Sequence, residues 1–219
     1  MENIEKEVAK ILLEKKAVTL NVEEPYTYVS GIRSPIYCDN RLLNFFPEER
    51  EIIVKGFVDI IREMNPEIIA GTATGAISWG AWIAAELKKP FVYIRKQSKD
   101  YGRAKLIEGG DINGKKVVVI EDLASTGGSS MNAVESTREA GAEVLAMVGI
   151  FTYNLKKATE KFEAGNCKTV FLTNFDILAQ VAAENNFIDE ESLNMVLDWN
   201  KNPGEWGPKH GFPLGEQKN

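Results

Sequence analysis

Apolar positions along the chain alternate between short continuous runs and stripes at helical spacing, a pattern that predicts an α/β fold. Ile4, Val8, Ile11 and Leu12 share one helical face, so residues 3–15 are predicted to form an amphipathic helix. Thr19-Leu20, Thr27-Tyr28-Val29 and Ile36-Tyr37-Cys38 are short extended pieces. They are separated by Glu23-Glu24-Pro25 and Ser30-Gly31-Ile32-Arg33-Ser34-Pro35, whose turn chemistry predicts a small β element apart from the main sheet. From Pro47 to Met64 the stripe Ile52, Ile53, Gly56, Phe57, Ile60 and Ile61 predicts a long helix that Asn65-Pro66 ends. Buried strands are expected at Ile68–Ala70, Phe91–Ile94, Val117–Ile120, Val144–Phe151 and Thr169–Leu172. Helices are expected between them at 76–88 and at Met131–Ala140, with Gly141 as the C′ residue, and after them near 176–185 and 189–199. The expected fold is α/β: a central, mostly parallel five-stranded sheet flanked by helices, with a small N-terminal subdomain of about residues 1–40, a core of about 45–175 and a helical tail at 176–219.

Composition narrows the function more than the fold. With 44% hydrophobic and 26% charged residues the 219-residue chain has the make-up of an ordinary globular domain, and one domain is the simplest count. A net charge of −6 argues against nucleic acid or a membrane surface as partner. No apolar run approaches the roughly 20 residues of a membrane helix, and Met1-Glu2-Asn3-Ile4-Glu5-Lys6 lacks a signal peptide's apolar stretch, so a cytoplasmic location is expected. Cys38 and Cys167 lie far apart without metal-type spacing and are expected to be buried, reduced thiols. The only histidine, His210, sits in a Gly/Pro-rich tail and is expected at the surface, which removes Ser-His-Asp and Cys-His mechanisms.

Candidate chemistry concentrates where the run Val117-Val118-Val119-Ile120 meets Glu121-Asp122 and then Leu123-Ala124-Ser125-Thr126-Gly127-Gly128-Ser129. Parallel sheets bind ligands beyond the carboxyl ends of their strands, so the two acids stand where a ligand would be, able to accept from sugar hydroxyls or to hold a divalent cation. Residues 125–129 add hydroxyls and free backbone N–H groups at a helix start, a ready anion site. A plain N-capped helix would explain the loop but not the paired acids. Gly71-Thr72-Ala73-Thr74-Gly75-Ala76 is a second Gly/Thr-rich loop entering a helix, and two such loops at neighbouring strand ends suit a ligand with two phosphate-bearing ends. Read alone, that loop is equally a plain turn. No P-loop or dinucleotide fingerprint occurs. The segment from Arg95 to Lys105 carries five bases and one acid in an otherwise acidic protein. Such a run can be only a solvated loop, but its length between two buried strands suits an active-site lid, with Gly102, Gly109 and Gly110 as hinges.

The order apolar run, Glu-Asp, Ser-Thr-Gly-Gly-Ser resembles the phosphoribosyl pyrophosphate signature of the type I phosphoribosyltransferases. Ser30-Gly31-Ile32-Arg33-Ser34-Pro35-Ile36-Tyr37-Cys38-Asp39-Asn40-Arg41 resembles the base-covering hood of the orotate phosphoribosyltransferase family within them. The resemblance covers nearly the whole chain, from about Ser30 to Phe175, is strongest in the signature, the hood and the basic segment's Arg/Lys positions, and implies the type I phosphoribosyltransferase fold. It further implies transfer of phosphoribosyl from phosphoribosyl pyrophosphate to orotate in UMP synthesis. On this reading Glu121 and Asp122 position the ribose, residues 125–129 hold its phosphate, Thr72, Ala73 and Thr74 form the pyrophosphate loop, and Ser125 with the hood around Tyr37 and Cys38 contacts orotate. Arg95, Lys96 and Lys99 match the first three cationic positions of the family's lid, where Lys99 and Arg95 draw off pyrophosphate, while Tyr101 stands where the family has His. Mg2+ is implied on the pyrophosphate and water, with Asp122 the one protein group that could reach it. A homodimer is implied too, because the family's lid serves the neighbouring subunit. Two departures stand out: the pyrophosphate loop has no lysine, and Thr152-Tyr153-Asn154 replaces an Arg that some relatives place on the orotate carboxylate. A transferase for another nucleobase, and a non-catalytic sensor of phosphoribosyl pyrophosphate, remain alternatives.

Overall fold

The computed structural model describes residues 2–96 and 106–215. Its frame is one six-stranded sheet built on the apolar runs. In chain order the sheet strands are β5 (Ile68–Thr72), β6 (Phe91–Ile94), β7 (Ile107–Glu108), β8 (Lys116–Ala124), β9 (Glu143–Thr152) and β10 (Thr169–Asn174), and their spatial order is β10-β9-β8-β5-β6-β7. Five strands are parallel, as expected, and β7 is an additional antiparallel edge pairing Tyr93↔Glu108 and Ile94↔Ile107. Two residues are too few to show a period, which is why the sequence pattern does not reveal β7.

Alternation along β8 divides the core in two. Val118 and Ile120 face one apolar cluster and Val117 and Val119 the other; Ala124, at the end of the strand past the two acids, departs from the alternation and joins the second cluster. Each of these side chains is fully buried, and a buried Val or Ile contributes about 1.5–3 kcal/mol relative to exposure. The first face is covered by α1 (Glu2–Glu14), α2 (Pro47–Met64), α3 (Ile77–Leu87) and α6 (Phe175–Glu184), through Leu12, Phe57, Trp79 and Leu178 among others. The second is covered by α4 (Gly128–Glu139) and α5 (Lys156–Ala164), through Val134 and Phe162. The bounds of α2 and β6 coincide with the expected ones. Helix α5 shows only Ala158 and Phe162 as buried positions, too thin a stripe to be noticed in the sequence. Strand β8 runs four residues past the expected end, since its ladder continues to Leu123↔Phe151 and Ala124↔Thr152. The two acids are therefore the last part of a central strand, not the start of a loop.

The N-terminal pieces form two separate two-stranded sheets, β1 (Val18–Leu20) with β4 (Ile36–Cys38) and β2 (Tyr26–Thr27) with β3 (Arg33–Ser34). A 3-10 helix, Asn40–Phe45, leads from them into α2. After α7 (Glu190–Lys201), the tail forms α8 (Pro203–Lys209) and returns to this subdomain. There Arg33 Nε donates to Pro213 O (2.9 Å) and Gly215 N to Gly31 O (3.0 Å). Trp199 and Trp206 are buried packing residues, and Trp206 Nε1 donates to Met195 O (2.8 Å). His210 is half-buried, with its ring 5.0 Å from that of Trp206 and Nε2 3.0 Å from Asp198, so the lone histidine helps to dock the tail. Cys38 and Cys167 are both free, but only Cys167 is buried; Cys38 is partly exposed. Among the described residues no helix is long and apolar enough to cross a membrane.

Candidate active site

The carboxyl ends of β5, β6 and β8 and the loop after β4 enclose a cavity of about 470 Å³. Strand alternation decides what each of the two acids does there. Glu121 is 6% exposed, and its carboxylate is already occupied. One oxygen accepts from Thr72 Oγ1 (2.7 Å) and the backbone N–H of Asp122 (3.1 Å), and the other from Ser130 Oγ (2.9 Å). Glu121 thus braces the β5 loop against the first turn of α4. Burial, then the neighbouring Asp122 carboxylate, pushes its acid up to about 7, and the Thr72 and Ser130 hydroxyls oppose that rise. Asp122 is partly exposed on the cavity wall and lies against Gly75, where an added Cβ would collide with its carboxylate. Gly75 is therefore glycine because of close approach. The hood reaches the same point, since Asn40 Nδ2 donates to Asp122 O (2.6 Å).

The loop after β8 turns through Gly127 at φ +73°, a conformation that favours glycine, and α4 begins at Gly128 with no side-chain cap. Its first N–H groups are left for a ligand, and Ser125, Thr126 and Ser129 line the cavity beside them. Across from them run Thr72, Ala73 and Thr74, with the Ala73–Thr74 peptide cis and Ala73 N donating to Ile94 O (2.8 Å). Arg95 and Lys96 also line the cavity; Arg95 Nη1 contacts Glu108 at 3.2 Å, and Arg95 N donates to Leu106 O (2.9 Å), pinning both ends of the basic segment.

Of the residues expected at the site, Cys38, Thr72, Ala73, Thr74, Arg95, Lys96, Glu121, Asp122, Leu123, Ser125, Thr126 and Ser129 share this cavity. Ala124 is buried beneath it, and Gly127 and Gly128 shape the turn without lining it. Tyr37 does not line it either: Ile36 is buried and Cys38 lines the cavity, so the intervening Tyr37 projects the other way, 45% exposed and with its ring 5.5 Å from Tyr26. Lys99 and Tyr101 lie outside the described residues. Sequence reasoning placed Asp39, Asn40 and Arg41 in the hood without naming them as site residues, and missed Asn132 and Ser136 on α4. The α4 pair was findable, because 129, 132 and 136 fall on one helical face. At the end of β9, Tyr153 is buried, its hydroxyl 3.4 Å from that of Tyr28, which donates to Ile36 O (2.8 Å). The middle residue of the run Thr152-Tyr153-Asn154, which replaces an Arg of some relatives, is thus a strut between the N-terminal subdomain and the core.

Comparison with known proteins agrees with this geometry. The phosphoribosyl transferase domain family matches residues 47–185. Over 207 residues the chain is 50% identical to the orotate phosphoribosyltransferase of Listeria innocua, an alignment covering 94% of this chain and 99% of that protein. It is 48% identical over 206 residues to that of Cytophaga hutchinsonii, covering 93% and 99%. The crystal structure of orotate phosphoribosyltransferase from Aeropyrum pernix superposes with a TM-score of 0.71 over 83% of this chain and 99% of that one, at 24% identity, and shows the shared fold. Identity near one residue in two, sustained from hood to tail, is a relationship of descent as well as of architecture, and the chain belongs to the orotate phosphoribosyltransferase family.

Proposed function

We propose that this protein, acting as a single phosphoribosyltransferase domain, transfers phosphoribosyl from phosphoribosyl pyrophosphate to orotate in de novo UMP synthesis. The products are orotidine 5′-monophosphate and pyrophosphate. The observation that carries the reading is the 50% identity to an orotate phosphoribosyltransferase over nearly the whole of both chains. The N1–C1 bond forms as the C1–O bond breaks; the electron pair of the broken bond leaves with pyrophosphate, and the proton lost from N1 of orotate passes to the departing pyrophosphate or to water. No side chain attacks covalently; catalysis is positioning and electrostatics. Asp122 orients the ribose hydroxyls, residues 125–129 and the start of α4 hold the 5′-phosphate, and Thr72, Ala73 and Thr74 cradle pyrophosphate. Arg95, Lys96 and Lys99 offset the charge that develops on the departing oxygens. Ser125 and the hood around Cys38 contact orotate. Glu121 supports this arrangement as a brace, since its carboxylate is already satisfied by protein donors.

Mg2+ is the proposed cofactor, and the donor set fits an ion carried mainly by substrate. Among the described residues no group of three or more His, Cys, Asp or Glu could hold a metal, and Asp122 is the one partly exposed acid between the two loops. Bound magnesium would neutralise pyrophosphate charge. A homodimer with lids exchanged between subunits is part of the proposal, supported by the exposed Leu42 and Phe45 on the turn that follows the cavity-lining Arg41. The proposed compartment is the cytoplasm, where Cys38 and Cys167 would stay reduced.

The test is the fall in orotate absorbance with phosphoribosyl pyrophosphate and magnesium present. Turnover of hypoxanthine but not of orotate would overturn the assignment. Gly75→Ala should lower kcat/KM at least about tenfold, because the new methyl group must displace the Asp122 carboxylate and small misplacements at a reacting centre are costly. Unchanged steady-state kinetics in that variant would remove Asp122 from the proposed role.

A further inference from the structure

The proposed reaction brings three anionic groups into one cavity, and two have evident partners: the 5′-phosphate at the start of α4, and pyrophosphate beside Thr72–Thr74, Arg95 and Lys96. The third is the carboxylate of orotate. The end of β9 has no cation for it: Thr152 Oγ1 is bonded to Ala124 O (3.1 Å), Tyr153 is buried, and Asn154 Nδ2 is bonded to Asp176 (3.1 Å). Among the described residues, the cations lining the cavity are Arg41, Arg95 and Lys96. Arg95 is drawn towards Glu108 at the base of the lid, while Arg41 stands on the hood wall with Cys38 and Asn40.

We propose that Arg41, held in place by Asp39, receives the carboxylate of the base and thereby selects orotate over uracil, an inference that rests on the function proposed above. Arg41 Nε donates to Asp39 Oδ1 (2.6 Å) and Nη2 to Asp39 Oδ2 (2.8 Å). That bidentate grip uses one edge of the fork and leaves the Nη1 hydrogens and one on Nη2 for a second carboxylate. Asp39 in turn accepts from the Arg41 backbone N–H (3.2 Å) at the start of the 3-10 helix, so the pair is fixed to the backbone at the cavity rim. The Arg41 side chain is 62% exposed, and without Asp39 its many rotamers would have to be ordered by the substrate itself. Asp39 is a positioning residue; Arg41 is the one that touches substrate. Asn40, between them, anchors the segment through Asp122 O.

Steady-state kinetics of the full-length protein test this, with orotate and uracil as alternative bases and phosphoribosyl pyrophosphate varied separately. Arg41→Ala should raise KM for orotate at least about tenfold, the loss expected of a charged hydrogen bond, with KM for phosphoribosyl pyrophosphate within about twofold of wild type. The orotate-to-uracil ratio of kcat/KM should fall by a similar factor. Arg41→Lys should restore little, because an ammonium cannot hold two carboxylates in a planar fork, and Asp39→Asn, which keeps the guanidinium but loosens it, should fall between wild type and Arg41→Ala. An unchanged KM for orotate in Arg41→Ala, or an equal rise in both KM values, would overturn the assignment. Wild-type protein that consumes no orotate would instead overturn the proposed function on which it rests. Thermal melts of the variants should stay close to wild type, since the Arg41 side chain is 62% exposed and an exposed ion pair is worth at most about 1 kcal/mol.

Discussion

Glu121→Ala is expected to lower the melting temperature by roughly 6–12 °C and kcat/KM by about a hundredfold. The carboxylate is the shared acceptor of Thr72, Ser130 and the Asp122 N–H, so its removal leaves three donors at a buried site without a partner. A stranded buried donor costs about 1–3 kcal/mol, and even with rotation of the two hydroxyls a net loss of about 3 kcal/mol remains. Activity falls with stability because the same bonds tie the β5 loop to α4, the two walls between which Asp122 stands. Glu121→Gln keeps an acceptor oxygen and the volume, and should recover most of the melting temperature.

The same pair of variants reads out the pH dependence. The folded value for Glu121, about 7, lies above its ordinary 4.5, so folding favours the protonated acid. Stability from this group is fully present below about 4.5 and is lost as pH rises through about 7, an effect of about 3 kcal/mol by linkage. Asp39, Asp189 and Asp198, held below the usual carboxylate range by their hydrogen bonds, act in the opposite sense at lower pH but are common to wild type and Glu121→Gln. The unfolding free energy of wild type minus that of Glu121→Gln should therefore decline between pH 4.5 and 7 and then flatten. A difference that stays constant across this range would show that Glu121 is not buried as described.

Lys99→Ala is expected to cost about 10²–10³ in kcat/KM, the usual range for loss of one preorganised group on developing charge, whereas Tyr101→Phe should cost less than about threefold. Both residues lie outside the described residues, and the expectation rests on the chemistry of their side chains. The loop at residues 71–76, proposed to cradle pyrophosphate, carries no lysine, so on the proposed function the cations beyond β6 meet the leaving group's charge. An ammonium at Lys99 does so over the whole working pH range, while a phenol, with an ordinary pKa of about 10, offers one neutral hydrogen bond. Where relatives have a histidine that changes charge near neutrality, this lid should show no such limb in its pH–rate profile, and Tyr101→His should introduce one. Equal losses from Lys99→Ala and Tyr101→Phe would mean that the phenol itself acts on pyrophosphate.

Helix α2 and strand β6 were legible residue by residue because their signals are local: a long apolar stripe closed by Asn65-Pro66, and an apolar run entered from Lys89-Pro90. The signature on β8 was equally legible, since its chemistry lies in residue types at fixed spacing. Its strand was read too short because two acids look like a strand end, whereas the ladder to β9 continues and the acids meet a cavity wall rather than solvent. Strand β7 and helix α5 escaped for want of enough apolar positions to display a period.

The chemistry on offer, namely paired acids, an anion-binding helix start, a basic lid and a hood, could be read from the chain alone because short motifs and the periods of 3.6 and 2 are local properties. The division of labour between neighbours could not. Successive strand residues point to opposite sides, and only the packing of β5, α4 and the hood around β8 made one side a hydrogen-bonded interior for Glu121 and the other a cavity wall for Asp122. Contacts across 82 residues, Asn40 to Asp122, and across 125, Tyr28 to Tyr153, likewise depend on the closed fold. They are set by the distance between elements in space, which no local pattern of residue types contains.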